Sequence, residues 1–347
     1  MSEKDIFEEA RDRLQLSLQS TTEDRNMAKE DLLFAEGEGH WDDEQVTTAS
    51  AETPELTINL TDALVQRVEN NMQEQRPRGK CHPVGDGANI DTAETINGIG
   101  RHVEYRSEAS VAYDTAGKMA VRAGWGYCRL IAEYVAPDSF EKDLRILPIR
   151  NIFTVYDDPA AIMPTGRDRN WLIIAIRMAR TEYRRLYPRA ENGSWTDGGR
   201  DEWRLDWEDK EEIRLAEYFR IRERPEKLYR IKSQSGREYT RFVSEMPEEI
   251  SLKTVGDEVI DERESSRRQV EWFRLNGTKV VDREILPGSN IPVFRCEGNA
   301  VDIDGKVRRR GMVDAMMDPQ RMVNYGEVAK IKRLGLSPKA PWIAAEG

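Results

Sequence analysis

The stretch VEWFRLNGTKVVDREI, residues 270–285, decides the fold class. Two runs rich in β-branched and aromatic side chains, Val270–Leu275 and Lys279–Ile285, flank Asn276-Gly277. That dipeptide marks a two-residue type I′ turn, because both central residues of such a turn need positive φ. The spacing predicts an antiparallel hairpin. Downstream, Ile291–Cys296 reads as another strand. Upstream, alternating patterns at Ile213–Arg222, Lys227–Lys232 and Tyr239–Val243 read as strands, as do Tyr127–Val135, Leu144–Ile149 and Ile152–Tyr156. Trp171–Met178 is a dense apolar run, which reads as a buried strand. Thr181 is placed to cap a short helix that Pro188 ends.

Helical periodicity brackets this β-rich centre. Ile6, Phe7, Ala10, Leu14 and Leu18 recur at three and four residues. Ser20, Thr21 and Thr22 then predict a break, with Ser20 and Glu23 as a capping box for a second helix carrying Met27, Ala28, Leu32 and Phe34 up to Gly37. A helix from Thr61 carries Leu64, Val65, Val68 and Met72 and stops at Arg76-Pro77. One longer helix is expected from Asp91 to near Gly124, with small residues (Ala109, Ser110, Ala112, Ala116, Gly117) that allow close packing. The last helix carries Met312, Val313, Met316, Met317, Met322, Val323 and Val328, with a break at Pro319 that Asp318 caps. Strands gathered between helical ends, rather than alternating with helices, indicate an α+β protein.

The chain has 347 residues, enough for one large domain or two ordinary ones. Charged residues make up 34%, above the usual quarter, which requires much surface or many charged subunit contacts. The net charge is −11, and residues 1–60 hold 16 acids against 5 bases, so the remainder is balanced. Net charge therefore gives no general attraction to nucleic acid. No apolar run approaches the roughly 18–20 residues of a membrane span, and the charged start MSEKDIFEEARDRLQ lacks the apolar region of a secretory signal. Cys81, Cys128 and Cys296 are far apart and form no CxxC pair, so a reducing compartment is expected.

Motifs that carry chemistry are missing. His40, His82 and His102 flank no nucleophile elbow and no HExxH, and no phosphate-binding glycine loop is present. Gly98 and Gly100 fall inside a helical pattern, and Gly85 and Gly87 read as a turn. The acidic pairs Asp42-Asp43, Asp157-Asp158 and Asp302-x-Asp304 read as turn aspartates rather than a two-metal cluster. No catalytic, cofactor-binding or metal residue is assigned, and no cofactor is expected. Candidate contacts to DNA or to another subunit are Arg308, Arg309 and Arg310, which follow a turn and precede a helix, and Arg184 and Arg185 in an aromatic and basic stretch.

Five stretches, in order, resemble the portal proteins of short-tailed, podovirus-type bacteriophages. The first is residues 10–44, where Arg25, Asn26, Ala28, Asp31, Leu32, Phe34, Gly37 and Trp41 match the family's pattern. Arg76-Pro77 follows. Next comes SEASVAYDTAGKMAVRAGWGYCRLIAEYV, with Gly124, Gly126 and Arg129, and then NIFTVYDDPAA. The fifth stretch, at 311–347, places Gly311, Asp318, Gln320, Asn324, Pro338 and Lys339 as the family does. The loop at Pro164-Thr165-Gly166 departs from relatives, which carry more acids there.

The resemblance implies a non-enzymatic, dodecameric ring at one capsid vertex in the virion, assembled in the host cytoplasm, with a channel for double-stranded DNA. Its implied partners are other copies of itself, the terminase large subunit, the tail adaptor or head-completion protein, and the capsid and scaffolding proteins; no membrane is implied. It further implies that 1–347 is the wing: an N-terminal helical hairpin at 1–40, an α/β body at 41–310, and a helix and strand stub at 311–347 leading toward stem, clip and crown. Family members are about twice as long, so a truncated chain is expected, one that is monomeric or weakly oligomeric alone. The acidic segment 1–60 is expected to meet a more basic surface of a neighbour or of another capsid component. The competing readings are a metal-dependent phage nuclease and a capsid or scaffold protein without a channel.

Overall fold

The computed structural model describes residues 3–41, 56–76, 78–84, 88–188, 212–233, 236, 238–245 and 258–336. Among them are six helices and eleven strands in antiparallel sheets, an α+β protein. The chain divides into two compact units, Met1–Ser20 with Phe153–Pro292, and Thr21–Ile152 with Val293–Gly347. Helix α1, Glu3–Ala35, supplies its beginning to the first unit and its end to the second.

The expected helical hairpin at the N-terminus is one continuous helix. Ser20 does not cap. Its hydroxyl donates to the Ser17 carbonyl at 3.0 Å, a bond satisfied within the helix.

In the first unit a sheet runs in the order β3 (Val155–Asp157), β4 (Trp171–Ala179), β5 (Glu212–Lys232), β7 (Glu258–Leu275), β8 (Val280–Leu286), with β6 (Glu238–Phe242) also on β5. Strand register sets Tyr156, Ile173, Tyr218 and Phe273 side by side on one face. Ile6, Ala10 and Leu14 of α1 pack on them, as their helical spacing predicts. The other face carries Ile213 and Leu215, covered by Tyr183 from α5 (Arg180–Leu186). Ala179, not Thr181, stands at the start of α5, with no side-chain cap.

Two features of this sheet depart from the sequence reading. β5 runs through Pro225, because residues 221–227 have a sheet neighbour on one side only and tolerate a missing N–H. β7 extends back to Glu258, twelve residues beyond the predicted hairpin. That extension is mostly charged or polar and carries no apolar alternation, so only its pairing with β5 shows it. The hairpin at 270–285 forms, but not with a type I′ turn. Gly277 has no positive φ. Instead Asn276 is fully buried, and its Oδ1 accepts from Thr278 N, Thr278 Oγ1 and Lys279 N at 2.8–3.0 Å. Its Nδ2 donates to the Tyr183 hydroxyl at 2.9 Å.

In the second unit α2 (Leu60–Glu74), α3 (Ile90–Arg106) and α4 (Ala109–Ala123) precede the strand order β2 (Lys142–Ile149), β1 (Trp125–Tyr134), β9 (Val293–Glu297). The single helix expected at 91–124 is two. Ser107 Oγ donates to Val103 O at 2.5 Å and accepts from Ile146 N at 3.0 Å, and Glu108 turns left-handed with φ 48°. This break lets α4 lie on the sheet. Its buried face is Ala109, Ala112, Ala116, Gly117, Ala120 and Ala123. A Cβ on Gly126 of β1 would fall 2.0 Å from the Ala116 carbonyl oxygen, so helix and strand touch backbone to backbone. A two-stranded ribbon, β10 (Asn299–Ile303) and β11 (Lys306–Arg310), leads to a 3-10 turn at Asp314–Met316 and to α6 (Met317–Leu336). Asp318 does not cap α6. Pro319 lies in its first turn, where no intrahelical N–H is needed. The methionines do not share one packing face: Met322 is 72% exposed. The strand stub predicted at the C-terminal end lies outside the described residues, as do Gly85, Gly87, Asp42, Asp43, Pro338 and Lys339.

The loop after β3 is tied by a buried ion pair. Arg169, 1% exposed, meets Asp157 with Nε–Oδ1 at 3.0 Å and Nη2–Oδ2 at 3.1 Å. Removing one partner leaves a buried charge uncompensated. Arg169→Ala is expected to destabilise the chain by about 3–5 kcal/mol, read as a lowered urea midpoint. An unchanged midpoint would show that the pair is dispensable.

Candidate nucleic-acid interface

The sequence candidates Arg308, Arg309 and Arg310 stand on strand β11, between a turn and the last helix. A two-residue turn, Asp304-Gly305, joins β10 to β11, and both residues have positive φ (55° and 78°). The type I′ geometry expected at Asn276-Gly277 is therefore met here, where Asp tolerates the left-handed region and Gly adopts it without cost. Alternation splits the three arginines between faces. Lys306, Arg308 and Arg310 share one face, opposite Ile303, Val301 and Asn299 of β10. Arg309 points to the other face and meets Glu297 at 2.6 Å.

Every one of these cations has an acid partner within the chain. A single carboxylate oxygen, Glu23 Oε2 on α1, takes Lys306 Nζ at 3.3 Å and Arg308 Nη2 at 3.1 Å. Arg310 pairs with Asp314 at 2.9 Å. The Lys306 ammonium and Arg308 hold the Glu23 carboxyl below the usual carboxylate range. Arg184 and Arg185 belong to the first unit. Both are exposed on α5, and Arg185 stands 4.0 Å from Glu182.

Some of the acids concentrated in residues 1–60 are likewise answered by bases of the same chain. Glu9 pairs with Arg13 at 2.8 Å and Arg220 at 2.5 Å, and Glu36 pairs with Arg122 at 3.1 Å.

The aspartates weighed as nuclease ligands serve the backbone. Asp157 holds Arg169, and Asp158 accepts from Ala160 N and Asn170 N, both at 3.0 Å. Among the described residues, no three His, Cys, Asp or Glu side chains converge as a metal site. A cleft of about 270 Å³ is lined by Met72, Tyr113, Gly117 and Cys296, with the Arg76–Asp114 ion pair at its rim.

The positions behind the family resemblance come together at the end of α1. His40 is buried and stacks on Phe34 with centroids 4.0 Å apart. Its Nε2 donates to Phe34 O at 2.8 Å, and its Nδ1 accepts from Asn324 Nδ2 at 3.0 Å. Asn324 Oδ1 accepts from Ile58 N and from Gln320 Nε2. Gln320 Oε1 accepts from Leu60 N and Thr61 N, at the start of α2. Trp41 meets Tyr325 edge-on at 4.9 Å. Two amides four residues apart on α6, with a histidine near an earlier helix end, were the signal the sequence held for this clasp. Its closure could not be read from spacing, because about 260 residues separate the partners.

A family model described as phage P22-like portal protein matches residues 11–347. The chain belongs to the phage P22-like portal protein family. This is a family of structural phage proteins of the head-tail connector, with a role in genome packaging. Among the described residues of this portal chain, no helix is long and apolar enough to cross a membrane.

Asp31, one of the positions behind the resemblance, is 2% exposed, and its Oδ1 has no hydrogen-bond partner among the described residues. Burial pushes its carboxyl up to about 7, with Asp314 and Glu30 adding to the rise and Arg310 opposing it. A carboxyl raised on folding is easier to bury protonated. Stability is therefore lost as pH rises from the ordinary carboxylate range through about 7. Asp31→Asn is expected to stabilise the chain by about 1–3 kcal/mol at pH 8 and by much less at pH 4. Thermal unfolding at the two pH values checks this, and equal gains would contradict it.

Proposed function

We propose that this portal chain is one subunit of a dodecameric ring at a single capsid vertex, enclosing a channel through which double-stranded DNA enters during packaging and leaves at ejection. In this reading the ring docks the terminase large subunit while the head fills and the tail adaptor afterwards, and contacts capsid and scaffolding proteins during assembly in the host cytoplasm. The match to the portal family over residues 11–347 carries the proposal. The charged composition supports it, since a ring subunit keeps side faces that must stay soluble before they pair. Closing a ring from identical copies also needs two different complementary patches on each. The three-part scheme, with 41–310 as the wing body and 311–347 leading toward stem, clip and crown, belongs to the same proposal.

The test is co-expression with the cognate capsid and scaffolding proteins, followed by electron microscopy of the particles. The expected result is a ring with an open centre at one vertex of each shell. Shells closed at every vertex, with the chain left outside them as a monomer, would overturn the proposal.

A further inference from the structure

The ribbon β10–β11 presents a face whose charge pattern the fold itself does not require. Lys306, Arg308 and Arg310 lie on that face at alternate positions of one strand, so their stems are about 6.8 Å apart in steps. Duplex DNA presents a regular row of phosphate charges along each strand, which a row of evenly spaced cations can meet. A two-stranded β-ribbon is also a shape that the major groove of a duplex admits. The β10 positions on this face, Asn299, Val301 and Ile303, are exposed and uncharged; Asp302 points to the other face and Asp304 stands in the turn at the ribbon's tip.

The acids that meet these cations come from elsewhere and are poor competitors for a phosphate. Glu23 is 64% exposed and spends one oxygen on two cations. Asp314 meets an Arg310 side chain that is 50% exposed. Exposed pairs of this kind are worth little in water. By contrast Arg309, on the opposite face, pairs with Glu297 where both are largely buried, and serves to fix the ribbon to β9.

We infer that the Lys306–Arg308–Arg310 face of the ribbon is a sequence-independent binding site for the phosphate backbone of double-stranded DNA, and that Glu23 of α1 occupies it as an intramolecular stand-in for a phosphate when DNA is absent. This deepens the portal reading and rests on it for the identity of the polyanion. Charge complementarity selects the occupant: the face offers three donors in a row, carries no acid of its own, and uses no base-edge recognition. The site would be loaded by exchange, each cation trading a carboxylate for a phosphate without ever being left unpaired.

The exchange predicts opposite effects for two neutralising substitutions. Binding of a 30-base-pair duplex of arbitrary sequence to the purified 347-residue chain is followed by fluorescence anisotropy across a salt series. Arg308→Ala is expected to weaken binding, and to reduce the slope of log K against log salt by about 0.9 for the lost contact. Glu23→Gln is expected to tighten binding about two- to fivefold, the release of a weak surface pair. A purely structural latch would make both substitutions neutral or harmful. Equal affinity of Glu23→Gln and the parent chain, absence of DNA binding by the parent chain, or an Arg308→Ala effect on subunit assembly with DNA affinity unchanged would each overturn the inference. None of these outcomes would touch the ring reading, which the vertex images decide by themselves.

Discussion

The second unit depends on how closely α4 can approach the strands beneath it. The alanine-rich face of α4 removes side-chain thickness, and glycines remove it from the other side. A Cβ at Gly126 would strike the Ala116 carbonyl, one at Gly298 the Ala120 carbonyl at 2.3 Å, and one at Gly311 the Arg122 carbonyl at 1.9 Å. Three well-separated chain segments are thus fixed against one helix by sterics that admit no other residue. Packing at this distance leaves no room for rearrangement by small shifts, because interiors are near crystal density. The ribbon inherits its position from this contact. It begins just after Gly298, ends just before Gly311, and so has both ends anchored on α4 while its outer face stays in water.

The clasp around Gln320 and Asn324 solves a different problem. The starts of α2 and α6 and the end of α1 each leave backbone groups without intrahelical partners. Two amide side chains on α6 satisfy backbone groups at the start of α2, at Ile58, Leu60 and Thr61, and Asn324 holds His40, whose Nε2 meets the Phe34 carbonyl at the end of α1. A buried polar network with every member paired favours one arrangement over its neighbours, since a shifted arrangement leaves a donor unmet in low dielectric.

Where the fold could be read from sequence, a local rule and the tertiary structure agreed. The spacing of Ile6, Ala10 and Leu14 gave a helix face, and the run at Trp171 gave a buried strand, because burial itself writes those patterns. Where reading failed, a longer-range partner decided. Ser20 looked like a cap until its hydroxyl found the Ser17 carbonyl. Ser107 looked helical until Ile146, from a strand not yet formed at that point in the chain, supplied the donor that holds the break. Asn276-Gly277 carried the turn signature, but the Tyr183 hydroxyl drew Asn276 inward and the turn widened. Asp304-Gly305, the same signature in a stretch considered for metal ligation, made the turn instead. Residues 258–264 show the opposite limit: a strand exposed on both faces has no hydrophobic period to announce it. The candidate arginines were visible as a cluster, but their division between two faces required the register of β10 on β11.

Charge on this chain is plentiful, yet little of it is positioned to stabilise the fold strongly. The pairs that lock structure are dry, among them Asp157 with Arg169, Glu271 with Arg220, Glu69 with Arg122, and Glu297 with Arg295 and Arg309. The pairs at Glu23, and those along the β5–β7 extension such as Lys227–Glu262, are wet. A wet pair contributes almost nothing to folding, because water solvates the separated ions nearly as well. It does keep a cationic face neutral at long range, so that a surface meant for a polyanion does not gather one indiscriminately. For a protein whose family handles a genome in motion, that distinction matters. A face that held DNA as tightly as a buried ion pair would resist translocation, whereas cations loosely matched by surface carboxylates can exchange partners as phosphates pass.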